Sequence, residues 1–391
     1  MDYYQKSVEL HKKLGGKLAI QSKVQIKSTD DLSLAYTPGV AQVCREIADD
    51  PQKVYDLTIK QNTVAIVSDG SAVLGLGNIG AAAAIPVMEG KAILFKEYAD
   101  IDAFPICVNT QNTFEIINLV KNIAPIFGGV NLEDISAPRC FEIEGALQDI
   151  GIPVFHDDQH GTAIVLLAAL INAAKLAEKN ISDLKIVING AGAAGTAIAE
   201  LLLCIGHDPD VCESVREIIV CDSRGIISRT RTDIQNNITK MKLAGITNRQ
   251  NKEGSLAEAL VDADVFIGVS VGNVVTQEMV HAMHRDPVIL AMANPTPEIM
   301  PETAKAAGAF IVGTGRSDFP NQVNNVLAFP GIFRGALDAH ASRISNKMKI
   351  AAAYALAGYV ENPTPDEILP TPLDKNVAPC IAKAVREAAD Y

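Results

Sequence analysis

The sequence predicts an α/β protein of two parts, an N-terminal α/β domain over residues 1–160 and a C-terminal doubly wound domain over residues 161–391. Three observations support this. Short β-branched or apolar runs alternate with helical stretches, the pattern of a mostly parallel sheet covered by helices. One run, Lys185 to Asn189, leads directly into a glycine-rich turn and then a second helical stretch. The length of 391 residues suits two domains of ordinary size.

Taken in order, Tyr3 to Leu14 reads as a polar helix stopped by Gly15-Gly16. Thr63 to Val67 reads as a strand that turns at Ser68-Asp69-Gly70. Ala92 to Phe95 reads as another strand. Asn112 to Ile123 reads as a helix, with Phe114, Ile117 and Val120 at helical spacing. Gly129 to Leu132 and Pro153 to Phe155 are short strands. Beyond Gly161 the texture changes. Thr162 to Ala177 is a long alanine-rich helix, Thr196 to Cys204 a helix, and Glu217 to Cys221 a strand ending at Asp222. Val265 to Val269, Val288 to Met292 and Phe310 to Val312 read as further strands of the same sheet. The chain after Phe329 is helical, broken by Pro363, Pro365, Pro370 and Pro372, and closes with a helix from Val377 to Ala389.

Composition narrows the class. Lysine plus arginine total 34 against 46 for aspartate plus glutamate, a net charge of −12 that argues against nucleic-acid binding. The longest apolar run, Ala163 to Ile171, is far short of the ~20 residues that cross a bilayer. No apolar segment follows the charged first residues, so no secretory signal is expected. The seven cysteines are odd in number, dispersed and free of C-x-x-C pairs. Reduced cytoplasmic thiols are expected, rather than a disulfide framework or a zinc site.

The string G-x-G-x-x-G occurs twice, at Gly75, Gly77, Gly80 and at Gly190, Gly192, Gly195. In a dinucleotide-binding turn the first glycine makes the bend and the second lets a pyrophosphate approach. The third lets helix and strand pack closely, and the phosphates sit at a helix N-terminus. The second copy has the full context of strand, glycines, helix, strand and then an acid, Asp222. It therefore predicts a Rossmann-type NAD(P) site, with the Ala193 and Ala194 backbone inside the loop. The loop His207 to Arg216 lengthens the spacing to Asp222. In the first copy, a helix after Gly80 would soon meet Pro86 and Gly90, which argues against the same role. An acid at Asp222 favours NAD over NADP, whereas Arg224 is placed to meet a 2′-phosphate. NAD is the expected cofactor, with NADP left open.

Two acidic pairs, Glu133-Asp134 and Asp157-Asp158, each follow a strand. Ligands of open α/β sheets bind at the carboxyl ends of strands. Carboxylates gathered there repel one another unless a hard cation neutralises them, and oxygen ligands suit magnesium or manganese. Solvated acids at loop starts are the plain alternative. His156 and His160 flank the second pair without being needed as ligands.

These motifs together resemble the malic enzymes, in their short bacterial form. The matching segments are Ala35-Tyr36-Thr37-Pro38-Gly39-Val40, Ser68-Asp69-Gly70, Gly75-Leu76-Gly77-Asn78-Ile79-Gly80, Gly90-Lys91-Ala92 and Glu133-Asp134. They continue with His156-Asp157-Asp158-Gln159-His160-Gly161-Thr162-Ala163, the Gly190 turn, Ala293-Asn294-Pro295-Thr296, Asn324-Asn325 and Phe329-Pro330-Gly331. They occur in the family's order and span nearly the whole chain.

The resemblance implies oxidative decarboxylation of (S)-malate to pyruvate with reduction of NAD(P), by a homodimer. It implies Lys91 as the base for the malate hydroxyl and Tyr36 as the acid that protonates the enol. It implies Glu133, Asp134 and Asp158 as ligands of Mg2+ or Mn2+, with Asp157 beside them supporting Lys91 or the metal. Asn294 and one of Asn324 or Asn325 would contact malate, Asn294 also lying at the cofactor. A lysine base must be neutral near pH 7, so its pKa is expected to be depressed by burial or nearby cations. One departure stands out. Many larger members place a malate-binding arginine just after the Asp-Gly turn, where this chain has Ser71 and Ala72. The rival activities are a malolactic lyase retaining NAD, a non-decarboxylating dehydrogenase, and an NAD-sensing regulator without turnover.

Overall fold

The computed structural model describes residues 3–73 and 76–389. Four helices open the chain: α1 (Tyr3–Leu14), α2 (Thr29–Ala35), α3 (Val40–Asp49) and α4 (Lys53–Leu57). None of them contributes a buried residue. Ser28 caps α2 by accepting the Asp31 N–H.

The first sheet holds β1 (Thr63–Ser68), β2 (Asp102–Cys107), β3 (Gly129–Leu132) and β4 (Val154–His156), all parallel in the order β2-β1-β3-β4. Its crossovers are α5 (Ala81–Ala99), α6 (Thr113–Ile123) and α7 (Arg139–Ala146). Asn112 starts α6 by accepting from the N–H groups of Phe114 and Glu115. A 20-residue helix, α8 (Asp157–Leu176), leads to the second sheet.

That sheet is built from β5 (Lys185–Asn189), β6 (Glu217–Asp222), β7 (Gly225–Ile226), β8 (Val265–Gly268), β9 (Val288–Ala291) and β10 (Ile311–Thr314). Its order is β10-β9-β8-β5-β6-β7, parallel except for β7. The direction of winding reverses beside β5, so a crevice opens at its carboxyl end. Helices α9 (Ala193–Leu202), α10 (Ile238–Ile246), α11 (Leu256–Leu260), α12 (Gln277–His281) and α13 (Pro301–Ala306) belong to this half. The chain closes with α14 (Phe329–Asp338), α15 (Asn346–Tyr359) and α16 (Val377–Glu387).

Helix α8 is the central pillar. Its residues from Ala163 to Leu170 are all buried. One apolar cluster runs from β1 and α5, through α8, into the second sheet and the C-terminal helices. Phe95 packs edge-on against Phe329 and Phe333, and Phe155 against Phe333. Each such ring contributes about 1.5–3 kcal/mol by burial. These contacts fasten α14 to the first sheet, which brings C-terminal residues to the carboxyl ends of β1 and β3. Among the described residues, α8 alone is long and apolar enough to cross a membrane, and it is mostly buried inside the protein.

Four expectations need correction. Ala92 to Phe95 is not a strand but part of α5, whose buried stripe Ala84, Met88, Lys91, Ala92 and Phe95 outweighs the breakers Pro86 and Gly90. A four-residue apolar run does not distinguish helix from strand by period. The objection to a helix after Gly80 therefore falls; of that first glycine string, Gly75 lies outside the described residues. The strand β2 has no counterpart in the sequence reading, because Pro105 and a half-buried pattern hide it. Finally, Cys204 and Cys212 form a disulfide that staples the lengthened loop after α9, and Cys44, Cys107, Cys140, Cys221 and Cys380 are free.

Candidate active site

The carboxyl ends of β1, β3 and β4 face the start of α8, and the acids gather there. Glu133 and Asp134 follow β3 directly, and Asp157 and Asp158 open α8, which begins five residues before the predicted start. Lys91 comes from the middle of α5. Its Nζ donates to Glu133 Oε1 at 2.8 Å and to Asp157 Oδ2, and stands 4.1 Å from the Phe329 ring centroid. Asn131 Nδ2 donates to the other Glu133 oxygen at 2.8 Å. Asn325 Nδ2 donates to Asp157, whereas Asn324 turns inward to accept the Val326 N–H. Asp158 Oδ2 accepts the Asp134 N–H at 2.8 Å.

Burial dominates the electrostatics. Glu133, Asp134 and Asp157 expose less than a tenth of their surface, and Lys91 exposes 7%. Burial, followed by mutual repulsion, pushes the carboxyls of Glu133, Asp134 and Asp157 up, and burial also raises Asp158. Lys91 departs from expectation. Burial works to lower it, but Asp157, Glu133 and Asp158 together raise it above the ordinary lysine value. The reason is plain charge: three carboxylates face one ammonium.

Two oxygens of the cluster, Asp134 Oδ2 and Asp157 Oδ1, are buried without a hydrogen-bond partner. Such oxygens are costly unless a cation satisfies them. An all-oxygen donor set of this kind fits a hard divalent ion, although among the described residues no three groups already close on one point. Gly161 is needed here: a Cβ on it would sit 1.8 Å from Asp157 Oδ1. Only glycine, one turn along α8, leaves that carboxylate its place.

The second crevice is made of backbone. Gly190 has φ +128°, and a Cβ there would collide with Val269 O at 2.5 Å. A Cβ on Gly195 would sit 1.8 Å from Gly190 O, which shows how closely α9 approaches β5. A Cβ on Gly192 would meet nothing within 4 Å, so open space lies beside the N-terminus of α9, starting at Ala193 and Ala194. The cradle fits a pyrophosphate. Asp222 ends β6, but its carboxylate is not free. Arg231 binds it through both Nη atoms at 2.8 and 3.0 Å, Lys240 at 2.6 Å, and the Arg224 N–H at 2.9 Å. The Arg224 guanidinium turns instead to Asp233.

Two predicted residues are exposed. Asn294 is exposed at the end of β9. Tyr36 is 67% exposed at the end of α2, and among the described residues its hydroxyl has no hydrogen-bond partner; the Lys91 Nζ bonds Glu133 and Asp157 instead.

Sequence reading missed several groups. Glu298 is fully buried and accepts from the N–H groups of Ser270 and Ala293, tying the loops after β8 and β9 together. Arg139 bonds Asp69 at 2.6 Å and the Ser71 hydroxyl at 2.8 Å, bracing the turn where the family arginine is absent. Arg231 and Lys240 lie beyond the short spacing from which Arg224 was chosen. Gly161 was visible in principle, one helical turn after Asp157.

The chain is similar to known proteins along nearly its whole length. The family described as malic enzyme, N-terminal domain matches residues 15–118, and that described as malic enzyme, NAD binding domain matches residues 159–390. A bifunctional malic/malolactic enzyme of Bacillus subtilis is 57% identical over the whole chain and 93% of its own length. An NAD-dependent malic enzyme of Geobacillus stearothermophilus is 55% identical, over 96% of this chain and 77% of its own. The crystal structure of an NAD-dependent malic enzyme from Thermotoga maritima superimposes with a TM-score of 0.92 at 50% identity, covering 97% of this chain and 98% of that one. The chain belongs to the malic enzyme family.

Proposed function

We propose that this protein oxidatively decarboxylates (S)-malate, with NAD(P) and a divalent cation, to pyruvate, CO2 and NAD(P)H. The observation that carries the reading is the Lys91-Asp157-Glu133 cluster at the sheet edge, with the open glycine cradle of α9 in the second half. Glu133, Asp134 and Asp158 hold Mg2+ or Mn2+. When bound, the nicotinamide accepts the hydride and the cation polarises the carbon 2 oxygen. Lys91 removes the hydroxyl proton. Burial lowers its pKa and the facing carboxylates raise it; a cation held by those carboxylates would return the lysine toward a usable base. Asp157, itself held by Asn325, fixes the Lys91 amine. Asn294 and Asn325 orient malate. Tyr36 protonates the enol of pyruvate at carbon 3.

The exposure of Tyr36 shapes the assembly. Together with Ile20 between α1 and α2, Leu34 on α2 and other exposed apolar residues, it lies on a segment that buries nothing of its own. We assign this segment to a cytoplasmic homodimer in which it packs on a second copy and delivers Tyr36 to that copy's Lys91. NAD is the preferred cofactor through Asp222. Arg231 and Lys240 already neutralise that acid, so NADP is discriminated against only weakly.

The test is turnover of malate with Mn2+, comparing NAD with NADP and measuring CO2. Reduced cofactor and CO2 in equal amounts, both lost on chelation, are expected. Lactate without NADH would instead support the malolactic activity named for the Bacillus relative. NADH without CO2 would contradict decarboxylation.

A further inference from the structure

One buried charged cluster has no part in the chemistry above. Glu144 of α7, 9% exposed, accepts the His156 N–H on Oε1 at 3.1 Å and meets His160 Nε2 on Oε2 at 3.0 Å. Lys349 of α15 brings its Nζ to 3.3 and 3.4 Å from the two His160 ring nitrogens. Helices α7, α8 and the distant α15 thus meet at the first turn of α8.

That turn has an unusual need. A helix N-terminus leaves N–H groups without helical partners, and an acid in the first turn commonly caps them. Here Asp157 and Asp158 occupy the first turn, but Asp157 faces Lys91 and Asn325, and Asp158 faces the Asp134 backbone. His156, at the cap position, makes no side-chain capping bond, and its ring is bonded to Gln159. The helix start is therefore held from outside. Glu144 spans it with one carboxylate, from the cap residue to His160 one turn later, and its negative charge suits the positive end of a 20-residue helix.

We infer that Glu144, held by His160, on which Lys349 in turn packs, is a positioning residue that fixes the first turn of α8, and so aims Asp157 at Lys91 and Asp158 at the cation. The inference rests on the roles assigned to Asp158 and Lys91 above. It links helix α15 to the acidic cluster through Lys349 and His160.

The test compares wild type with Glu144→Ala, Glu144→Gln and Lys349→Met, well below their melting temperatures. Three quantities are read: Mn2+ affinity by electron paramagnetic resonance, NADH affinity by fluorescence, and amide exchange of residues 157–161. Glu144→Ala is expected to weaken Mn2+ roughly 10–100-fold, as outer-shell changes do, to speed exchange in the first turn, and to leave NADH affinity unchanged. Glu144→Gln keeps one acceptor oxygen and should recover part of the loss. Lys349→Met should show the same pattern, more mildly. Wild-type Mn2+ affinity and exchange in Glu144→Ala would overturn the inference, as would equal loss of Mn2+ and NADH, which marks a merely structural role. If Glu144→Ala does not fold, Glu144→Gln and Lys349→Met decide by the same split. A wild type that binds no Mn2+ would refute the metal assignment alone, and exchange at residues 157–161 would still decide this one.

Discussion

The two halves of the molecule solve the same problem with different materials. Both present a ligand crevice at the carboxyl edge of a parallel sheet. In the second half the crevice is backbone: Gly190, Gly192 and Gly195 lie within six residues and need only strand β5 and helix α9 around them. In the first half it is charged side chains: Lys91 on α5, Glu133 after β3, Asp157 on α8 and Asn325 before α14 converge from positions more than two hundred residues apart. A backbone site is specified locally and tolerates little at a few positions. A side-chain site depends on long-range packing and on balancing buried charge. The halves should therefore fail separately.

The largest separation is expected from Lys91→Ala. It should lower malate oxidation by ~10²–10⁴-fold, the usual contribution of a general base, while NADH binding measured by fluorescence stays at the wild-type level. Loss of NADH binding in this variant would mean that the two crevices are not independent. The converse is Gly195→Ala. Its Cβ would overlap Gly190 O, so cofactor binding should fall by at least about tenfold while Mn2+ binding is retained.

The pH dependence of the metal-free protein sharpens the contrast further. Burial and the neighbouring carboxylates of Asp158 and Glu133 raise Asp134 to about 9. A carboxyl raised in the folded state gives its stabilisation in full below its unfolded value, and loses it as pH rises through the folded one. Melting temperature should therefore fall between about pH 4 and 9, and Mn2+ should remove most of the slope at its upper end. A metal-free protein equally stable across this range would show that the acids are not held at a cost.

The smallest effect belongs to Asp222→Ser. It should weaken NAD a few-fold and relax discrimination against NADP, read as the ratio of the two kcat/KM values. A wild type that already prefers NADP would assign the choice to Arg231 and Lys240 instead.

The same contrast explains what the sequence disclosed. The strand, glycines and helix from Lys185 to Leu202 were legible because their signals are contiguous and each glycine has its own steric reason. The acids were legible as pairs after strands, but their partners were not. Glu144 and Lys349 carry no local signature, and only the fold brings them to α8. Lys91 sits between Gly90, read as a helix breaker, and the run Ala92 to Phe95, which fits either period; burial of the helical stripe decided for the helix. The lysine pKa was expected to be depressed by burial or nearby cations. Burial does lower it, but three carboxylates from other elements outweigh that, and their positions follow from tertiary packing.

The central claim is that Lys91 of one copy works with Tyr36 of another. Mixing inactive Tyr36→Phe and Lys91→Ala subunits, after dissociation and reassembly, tests it directly. In a randomly reassembled dimer with shared sites, one of the two sites in each mixed dimer is intact, so activity should recover to roughly a quarter of wild type. The mixed dimer contains one site with both substitutions and one with neither. If Tyr36 and Lys91 act within one chain, every site in the mixture carries one defect. No recovery on mixing, from subunits shown by mass spectrometry to have exchanged, would contradict the claim.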